Sequence, residues 1–143
     1  MPVPGVSFST DTNHYRGDAM KIMVVDDCQT TRKLLGLYLK AKGFDIVFAE
    51  NGLDAIEKLA TDDINLILSD LNMPYMDGIE FIKTLRSDPY WSHMPIIMVS
   101  TEADFEERER AFKAGANGYI VKPVTADMVI EKIRNLLEGG HDA

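Results

Sequence analysis

The feature that most constrains the fold is an alternation of short, continuously apolar runs with longer amphipathic stretches. Five such runs occur in order, at residues 22–25, 46–49, 66–68, 96–99 and 119–121. Strands buried on both faces lack polar alternation, so these runs predict a parallel sheet covered by helices on both sides. The pattern therefore predicts an α/β domain with a doubly wound, five-stranded parallel sheet.

Helical signals fill the intervals between the runs. The first helix is predicted from an inward stripe of Thr31, Leu34, Leu35, Tyr38 and Leu39, with Gly43 as its C-terminal stop. Residues 51–60, 78–86 and 104–114 are predicted helices, and the last of these is highly charged, with only Phe105 and Phe112 sharing an apolar face. Thr125 is a suitable N-cap for the final helix, whose inward stripe is Val129, Ile133, Leu136 and Leu137.

Length and charge limit what such a chain can do. The 143 residues suffice for one domain, which we predict over residues 21–138, between a flexible tail at 1–20 and a short tail at 139–143. A formal net charge of -8 argues against nucleic-acid binding. No apolar run approaches the ~20 residues of a membrane span, so no membrane insertion is predicted. Cys28 is the only cysteine, and no secretion signal is present, so the predicted compartment is the cytoplasm.

Polar side chains follow four of the apolar runs. Asp26 and Asp27 follow the first run, Asp70 the third, Ser100 the fourth and Lys122 the fifth. Ligands bind beyond the carboxyl ends of the strands in an open parallel sheet. The sequence therefore predicts three carboxylates, one or two hydroxyls and one ammonium group around a single crevice.

These residue types together favour phosphoryl chemistry. Clustered carboxylates repel one another unless a cation or protons neutralise them, and hard oxygen ligands select Mg²⁺ or a similar ion. Lys122 is suited to pair with phosphoryl oxygens, and the Ser100 hydroxyl can donate a hydrogen bond to another. Asp70 is the natural acceptor, since attack of a carboxylate on phosphorus gives an acyl phosphate.

Four motifs carry a resemblance to a known family. They are Asp26-Asp27, SDLNMPYMDG at residues 69–78, Ser100, and GYIVKP at residues 118–123. In order and spacing they resemble the response-regulator receiver family over about residues 21–137, and in particular single-domain receivers of the CheY chemotaxis type. The resemblance implies a flavodoxin-like strand order of 2-1-3-4-5.

The resemblance also implies roles at the crevice. Asp27 and Asp70 would ligate Mg²⁺ directly, together with the main-chain carbonyl of Asn72, and Asp26 would help through water. Lys122 would contact the phosphoryl group, and the Lys122-Pro123 peptide bond would be cis.

A switch and a decay rate follow from the same resemblance. Ser100 would move toward the phosphoryl group, and Tyr119 would change rotamer on the face of the fourth helix, fifth strand and fifth helix. Asn72 and Glu102 match chemotaxis receivers, which implies quick self-dephosphorylation. The implied partners are a sensor histidine kinase and a downstream protein, either a flagellar motor switch component or a histidine phosphotransfer protein.

Other functions remain open at this point. The chain could be an intermediate receiver of a multistep phosphorelay rather than a chemotaxis regulator. A Mg²⁺-dependent aspartyl-phosphate phosphatase would use similar groups, although such enzymes place Asp-x-Asp after the first strand and Asp26-Asp27 breaks that spacing. A flavin carrier of the same topology would need a first loop rich in Ser, Thr and Gly to bind phosphate, and the first loop of this chain lacks that composition. We expect a phosphoacceptor switch that catalyses its own loading and loss, not a turnover enzyme.

Two further features are interpreted as structural. Asp77-Gly78 predicts a turn in which Gly78 relaxes the backbone. Tyr90 and Trp91 lie in the loop before the fourth apolar run, and we interpret them as residues that cover the edge of the sheet.

Overall fold

The computed structural model describes residues 20–101 and 105–138. The predicted tail at 139–143, residues 1–19 of the predicted tail at 1–20, and the predicted decay residue Glu102 lie outside the described residues. The described chain alternates strands and helices in this order: β1 (Lys21–Val25), α1 (Gln29–Ala41), β2 (Asp45–Ala49), α2 (Gly52–Leu59), β3 (Leu66–Asp70), α3 (Gly78–Arg86), β4 (Ile96–Ser100), α4 (Phe105–Ala114), β5 (Gly118–Val121) and α5 (Ala126–Leu137).

The five strands form one parallel sheet in the order β2-β1-β3-β4-β5, which confirms the predicted fold. β3 lies at the centre, and its last residue, Asp70, is in register with Val99 of β4. Because all strands run in the same direction, their carboxyl ends meet at one edge of the sheet. That edge carries the residues singled out by the sequence.

The strands extend one or two residues beyond the apolar runs. β3 continues to Asp70 and β4 to Ser100, and both polar residues are buried. The ladder continues there because strand pairing uses backbone groups and is indifferent to side-chain polarity. β2 is the least buried strand, since it lies at the edge of the sheet and pairs with β1 alone.

Alternate strand residues enter two separate cores. Met23 and Val25 pack with residues of α2, α3 and α4 on one face of the sheet. Ile22 and Val24 pack with residues of α1 and α5 on the other face. The sheet is thus covered on both sides, as a doubly wound fold requires.

The inward face of α1 differs from the predicted stripe. Leu34 is exposed, whereas Gly36 is buried. The ring of Phe48 lies against the helix at Gly36, where an added Cβ would come within 2.6 Å of the ring. Helical periodicity reports where apolar side chains lie, so it does not predict a contact that is possible only because Gly36 has no side chain.

The contact face of α4 also differs from the prediction. Phe105 is 72% exposed, and the one fully buried residue among those described in α4 is Ala111. α4 packs against α3 and β5, and a small residue at the contact lets the helix approach closely. Phe105 and Phe112 therefore do not form a buried pair.

The predicted helix ends agree with the structure. Thr125 accepts a hydrogen bond from the Met128 amide and caps α5. Gly43 has φ +93° just beyond α1, a backbone conformation that favours glycine. Met20 is buried, and its carbonyl accepts the Asp45 amide, so the packed chain includes Met20. Among the described residues, no helix is long and apolar enough to cross a membrane.

Candidate functional site

Three carboxylates meet at the carboxyl edge of the sheet. Asp26 and Asp27 follow β1, and Asp70 ends β3. One carboxylate oxygen from each lies within 4.8 Å of the others. Asp26 and Asp70 are buried and Asp27 is exposed, so the cluster opens to solvent on the Asp27 side.

Backbone and side-chain hydrogen bonds hold the Asp26 segment. Its amide donates to the Ala49 carbonyl at 3.1 Å, which extends the β1–β2 ladder by one residue. One carboxylate oxygen accepts the Cys28 amide at 2.8 Å at the start of α1. The Arg32 guanidinium donates to the Asp26 carbonyl at 2.6 Å. Sequence reasoning missed Arg32, although a cation in the first turn after an acidic strand end is a detectable signal.

The environment of Asp70 disfavours a bare negative charge. Burial, followed by the charge of Asp26, raises the pKa of Asp70 to about 6, although Lys122 acts in the opposite direction. The Leu71 amide donates to Oδ1 of Asp70 at 2.9 Å and fixes the orientation of the carboxylate. The site therefore favours a proton or a cation next to Asp70.

Lys122 supplies the positive charge of the site. Its Nζ lies 3.2 Å from Asp26 and 3.5 Å from Asp70. Burial alone would lower the pKa of Lys122, but the attraction of Asp70 and Asp26 outweighs it and raises the pKa. The Lys122-Pro123 bond is cis, and the Lys122 amide donates to the Ser100 carbonyl at 2.8 Å. β5 is thereby joined to the end of β4.

The segment at Asp77 and Gly78 begins a helix rather than forming a relaxed turn. The Asp77 side chain accepts the Glu80 amide at 2.9 Å and is the N-cap of α3. An added Cβ at Gly78 would lie 2.7 Å from the Asp70 carbonyl oxygen. Gly78 is required here by space, because the start of α3 passes directly over the backbone of the candidate acceptor.

The remaining predicted site residues occupy different surroundings. Ser100 and Tyr119 are both buried, Ser100 at the end of β4 and Tyr119 within β5 opposite Met98. Asn72 is exposed, two residues beyond Asp70. Asn72 is therefore accessible to solvent, unlike Ser100 and Tyr119.

The donor set fits Mg²⁺. The ion prefers carboxylate and carbonyl oxygens with several retained waters, and the cluster offers three carboxylates with an open side at Asp27. A divalent cation would also favour the ionised form of Asp70, whose pKa is raised by burial and then by the charge of Asp26. The three carboxylates of the cluster are the groups that could hold the ion.

The fold and this site define a class of protein. Residues 22–134 match the model of the protein family described as "Response regulator receiver domain". The chain belongs to the response regulator receiver family.

Its relatives include named chemotaxis regulators. The chain is 42% identical to chemotaxis protein CheY1 of Helicobacter pylori over 120 residues, which cover 82% of this chain and 97% of that protein. It is 40% identical to chemotaxis protein CheY-3 of Vibrio cholerae over 120 residues, covering 83% and 92%. The chain is thus a receiver domain closely related to CheY chemotaxis regulators.

Solved structures give the same result. Chemotaxis response regulator CheY4 of Vibrio cholerae aligns with a TM-score of 0.78 and 30% identity, covering 83% of this chain and 99% of that one. The signal receiver domain of a signal transduction histidine kinase from Syntrophus aciditrophicus aligns with a TM-score of 0.78 and 29% identity, covering 85% and 92%. The CheY-like fold expected from the sequence is confirmed.

Proposed function

We propose that this protein is a single-domain response regulator of a two-component chemotaxis system, which accepts a phosphoryl group on Asp70 with Mg²⁺. The observation that carries the proposal is the grouping of Asp26, Asp27 and Asp70 within 4.8 Å, with the Lys122 ammonium 3.5 Å from Asp70. The proposed compartment is the cytoplasm, and the proposed phosphodonor is a sensor histidine kinase.

In the loading step, a carboxylate oxygen of Asp70 attacks the phosphorus of the donor phosphohistidine. An O–P bond forms, the P–N bond breaks, and the imidazole leaves with the electron pair. Lys122 pairs with a phosphoryl oxygen, since its ammonium group already lies beside Asp70. Mg²⁺ held by the carboxylate cluster would supply positive charge to the phosphoryl oxygens.

In the decay step, water attacks the phosphorus from the side opposite Asp70. The O–P bond breaks, which releases inorganic phosphate and restores the Asp70 carboxylate. Asn72 is exposed and too short to shield the phosphorus, so we propose quick self-dephosphorylation. Glu102, proposed to orient the water, lies outside the described residues.

The output of the switch is a change in partner binding. We propose that Ser100 contacts the phosphoryl group and that Tyr119 changes rotamer in response, which alters the surface near α4, β5 and α5. A ligand can shift a two-state element only through contacts that differ between the states. The proposed downstream partner is a flagellar motor switch component or a histidine phosphotransfer protein.

Labelling with acetyl phosphate tests the proposal. Wild type should take up label in Mg²⁺, and chelation should prevent it. Asp70→Asn should take up none, whereas the control Asp54→Asn, which alters an acid paired with Lys58 outside the cluster, should label normally. Mass spectrometry that locates full labelling on another acid in Asp70→Asn would refute the assignment.

A further inference from the structure

A groove lies at the end of the sheet opposite the carboxylate cluster. It encloses about 940 Å³ between residues 59–65 and the segment that carries Tyr90, Trp91 and Met94. These segments lead into β3 and β4, whereas the acidic site lies beyond the other ends of the strands. The proposed phosphorylation chemistry makes no use of this groove.

One wall of the groove is aromatic. The rings of Tyr90 and Trp91 meet edge to face, with centroids 5.8 Å apart and planes at 88°. Trp91 packs partly against the core, while Tyr90 is 82% exposed. The Tyr90 amide donates to Asp88 at 2.8 Å, which stabilises the turn beneath the ring. An exposed ring on a fixed turn offers a π face to a cation.

The segment at residues 59–65 adds negative charge to the lining of the groove. Asp62 and Asp63 line it, and in the described part of the chain neither forms an ion pair. No described lysine or arginine lines the groove. In contrast, Asp54 of α2 pairs with Lys58 at 3.2 Å. The groove therefore favours a positively charged occupant.

Both walls are held in place by hydrogen bonds. The Asn65 amide donates to the Lys21 carbonyl at 2.8 Å, and the Asn65 side chain accepts the Lys21 amide at 2.7 Å. On the aromatic side, the Arg86 guanidinium donates to the carbonyls of Trp91 at 3.4 Å and Ser92 at 3.2 Å. A preformed groove loses little conformational freedom on binding.

We propose that this groove binds an arginine-bearing segment of a partner protein. A guanidinium group is planar, so it can stack on an aromatic ring while its N–H groups pair with a carboxylate. The lining of the groove includes both features, Tyr90 with Trp91 from one segment and Asp62 with Asp63 from the other. A lysine ammonium would pair with the carboxylates but would lack the planar stacking surface.

The sole tryptophan of the chain, Trp91, reports directly on occupancy. The full chain is titrated with the probe acetyl-Leu-Arg-Leu-Arg-Leu-amide and with the same peptide carrying citrulline for arginine. We expect a saturable change in emission, with the citrulline peptide at least about tenfold weaker because it lacks the charge. An equal affinity for the two peptides, or no saturation up to about 5 mM, would overturn the proposal.

Variants separate the groove from general electrostatic attraction. The double variant Asp62→Asn, Asp63→Asn should weaken peptide binding about tenfold. Tyr90→Ala should also weaken peptide binding, as measured by calorimetry. The control pair Glu57→Gln and Glu131→Gln removes the same charge from exposed sites outside the groove and should bind normally. A loss in the control pair as large as in the groove pair would contradict a specific site.

Two further measurements identify other occupants. Sedimentation velocity of wild type and of the Asp62→Asn, Asp63→Asn variant tests for a second copy of the chain in the groove. Arg16→Gln tests for the protein's own first 19 residues, which contain that single arginine outside the described region. A dimer that the groove variant dissociates, or a change in Trp91 emission in Arg16→Gln without peptide, would assign the groove to that occupant and refute a partner protein.

Discussion

The ammonium group of Lys122 donates a hydrogen bond to the Asp26 carboxylate at 3.2 Å, across a separation of 96 residues. The same nitrogen lies 3.5 Å from Asp70. One cation therefore bridges the two buried acids of the candidate site. Its charge is already in place for the oxygens of a phosphoryl group on Asp70, and this position leads to the first prediction.

Lys122→Ala should weaken binding of beryllofluoride, a phosphoryl mimic, at least about tenfold, because the mimic loses its cationic partner. Mg²⁺ affinity should change much less, since Lys122 is not a metal ligand. Fluorine NMR measures the first quantity and calorimetry the second. The exposed Lys113→Ala is the matched control and should leave both unchanged. Wild-type beryllofluoride affinity in Lys122→Ala would contradict the proposed contact.

Asp70→Asn should stabilise the metal-free protein above pH 6. The folded-state pKa of Asp70 is raised from 3.8 to about 6, so the folded state binds this proton more tightly than the unfolded state. The resulting stability is fully present below pH 3.8 and is lost as pH rises through about 6. At pH 7.5 the variant should gain about 1 kcal/mol, after allowance for screening in the open crevice.

Urea unfolding in chelator at pH 7.5 and at pH 4 measures the Asp70→Asn difference. The advantage of the variant should shrink toward the acid end, where wild-type Asp70 is protonated in the folded state. A constant difference between the two pH values would show that the ionisation of Asp70 is not its cause.

Asp27→Ala should reduce Mg²⁺ affinity at least about tenfold, because it removes the exposed carboxylate of the cluster. In wild type, Mg²⁺ should raise the melting temperature, since an ion that binds only the folded state stabilises it. That increase should be much smaller in Asp27→Ala. Asp45→Ala, at the opposite end of β2, is the control. Equal Mg²⁺ affinity in wild type and Asp27→Ala would refute the site.

Ser100→Ala should retain phosphorylation but uncouple it from the rest of the domain. Ser100 is buried at the end of β4, and its carbonyl accepts the Lys122 amide, so it stands between the acidic site and β5. Beryllofluoride should shift amide NMR signals near Tyr119 in wild type and much less in the variant. The exposed Ser87→Ala should behave as wild type. Full shifts in Ser100→Ala would exclude the proposed coupling.

Gly78→Ala should destabilise the fold by about 1–3 kcal/mol, the usual cost of forcing atoms into a packed region. The added Cβ would lie 2.7 Å from the Asp70 carbonyl and 2.9 Å from the Leu71 Cα, and neither backbone atom can move independently. Denaturant unfolding measures the loss. Since Ala is favoured over Gly inside helices, wild-type stability in the variant would show that α3 can shift away from β3.

The sequence predicted the fold well because its signals were local and redundant. Continuous apolar runs identified all five strands, and α3 begins and ends where predicted. Thr125 was identifiable as a cap from residue type and position alone. The errors fell where contact depends on a missing side chain, at Gly36 beneath Phe48 and at Ala111 in α4. Periodicity measures where apolar groups lie along a helix, and does not report how closely a helix approaches its neighbour.

The sequence by itself determined which polar residues follow the strands and in what order they occur along the chain. The tertiary structure alone decided the distances, which bring Lys122 to Asp26 and Asp70 and place Trp91 and Asp62 in the lining of one groove. Residue type and order are properties of the chain, and hydrophobic periodicity follows from them directly. Distances between remote residues, and the burial that raises the pKa of Asp70, arise only when strands far apart in sequence pair in register.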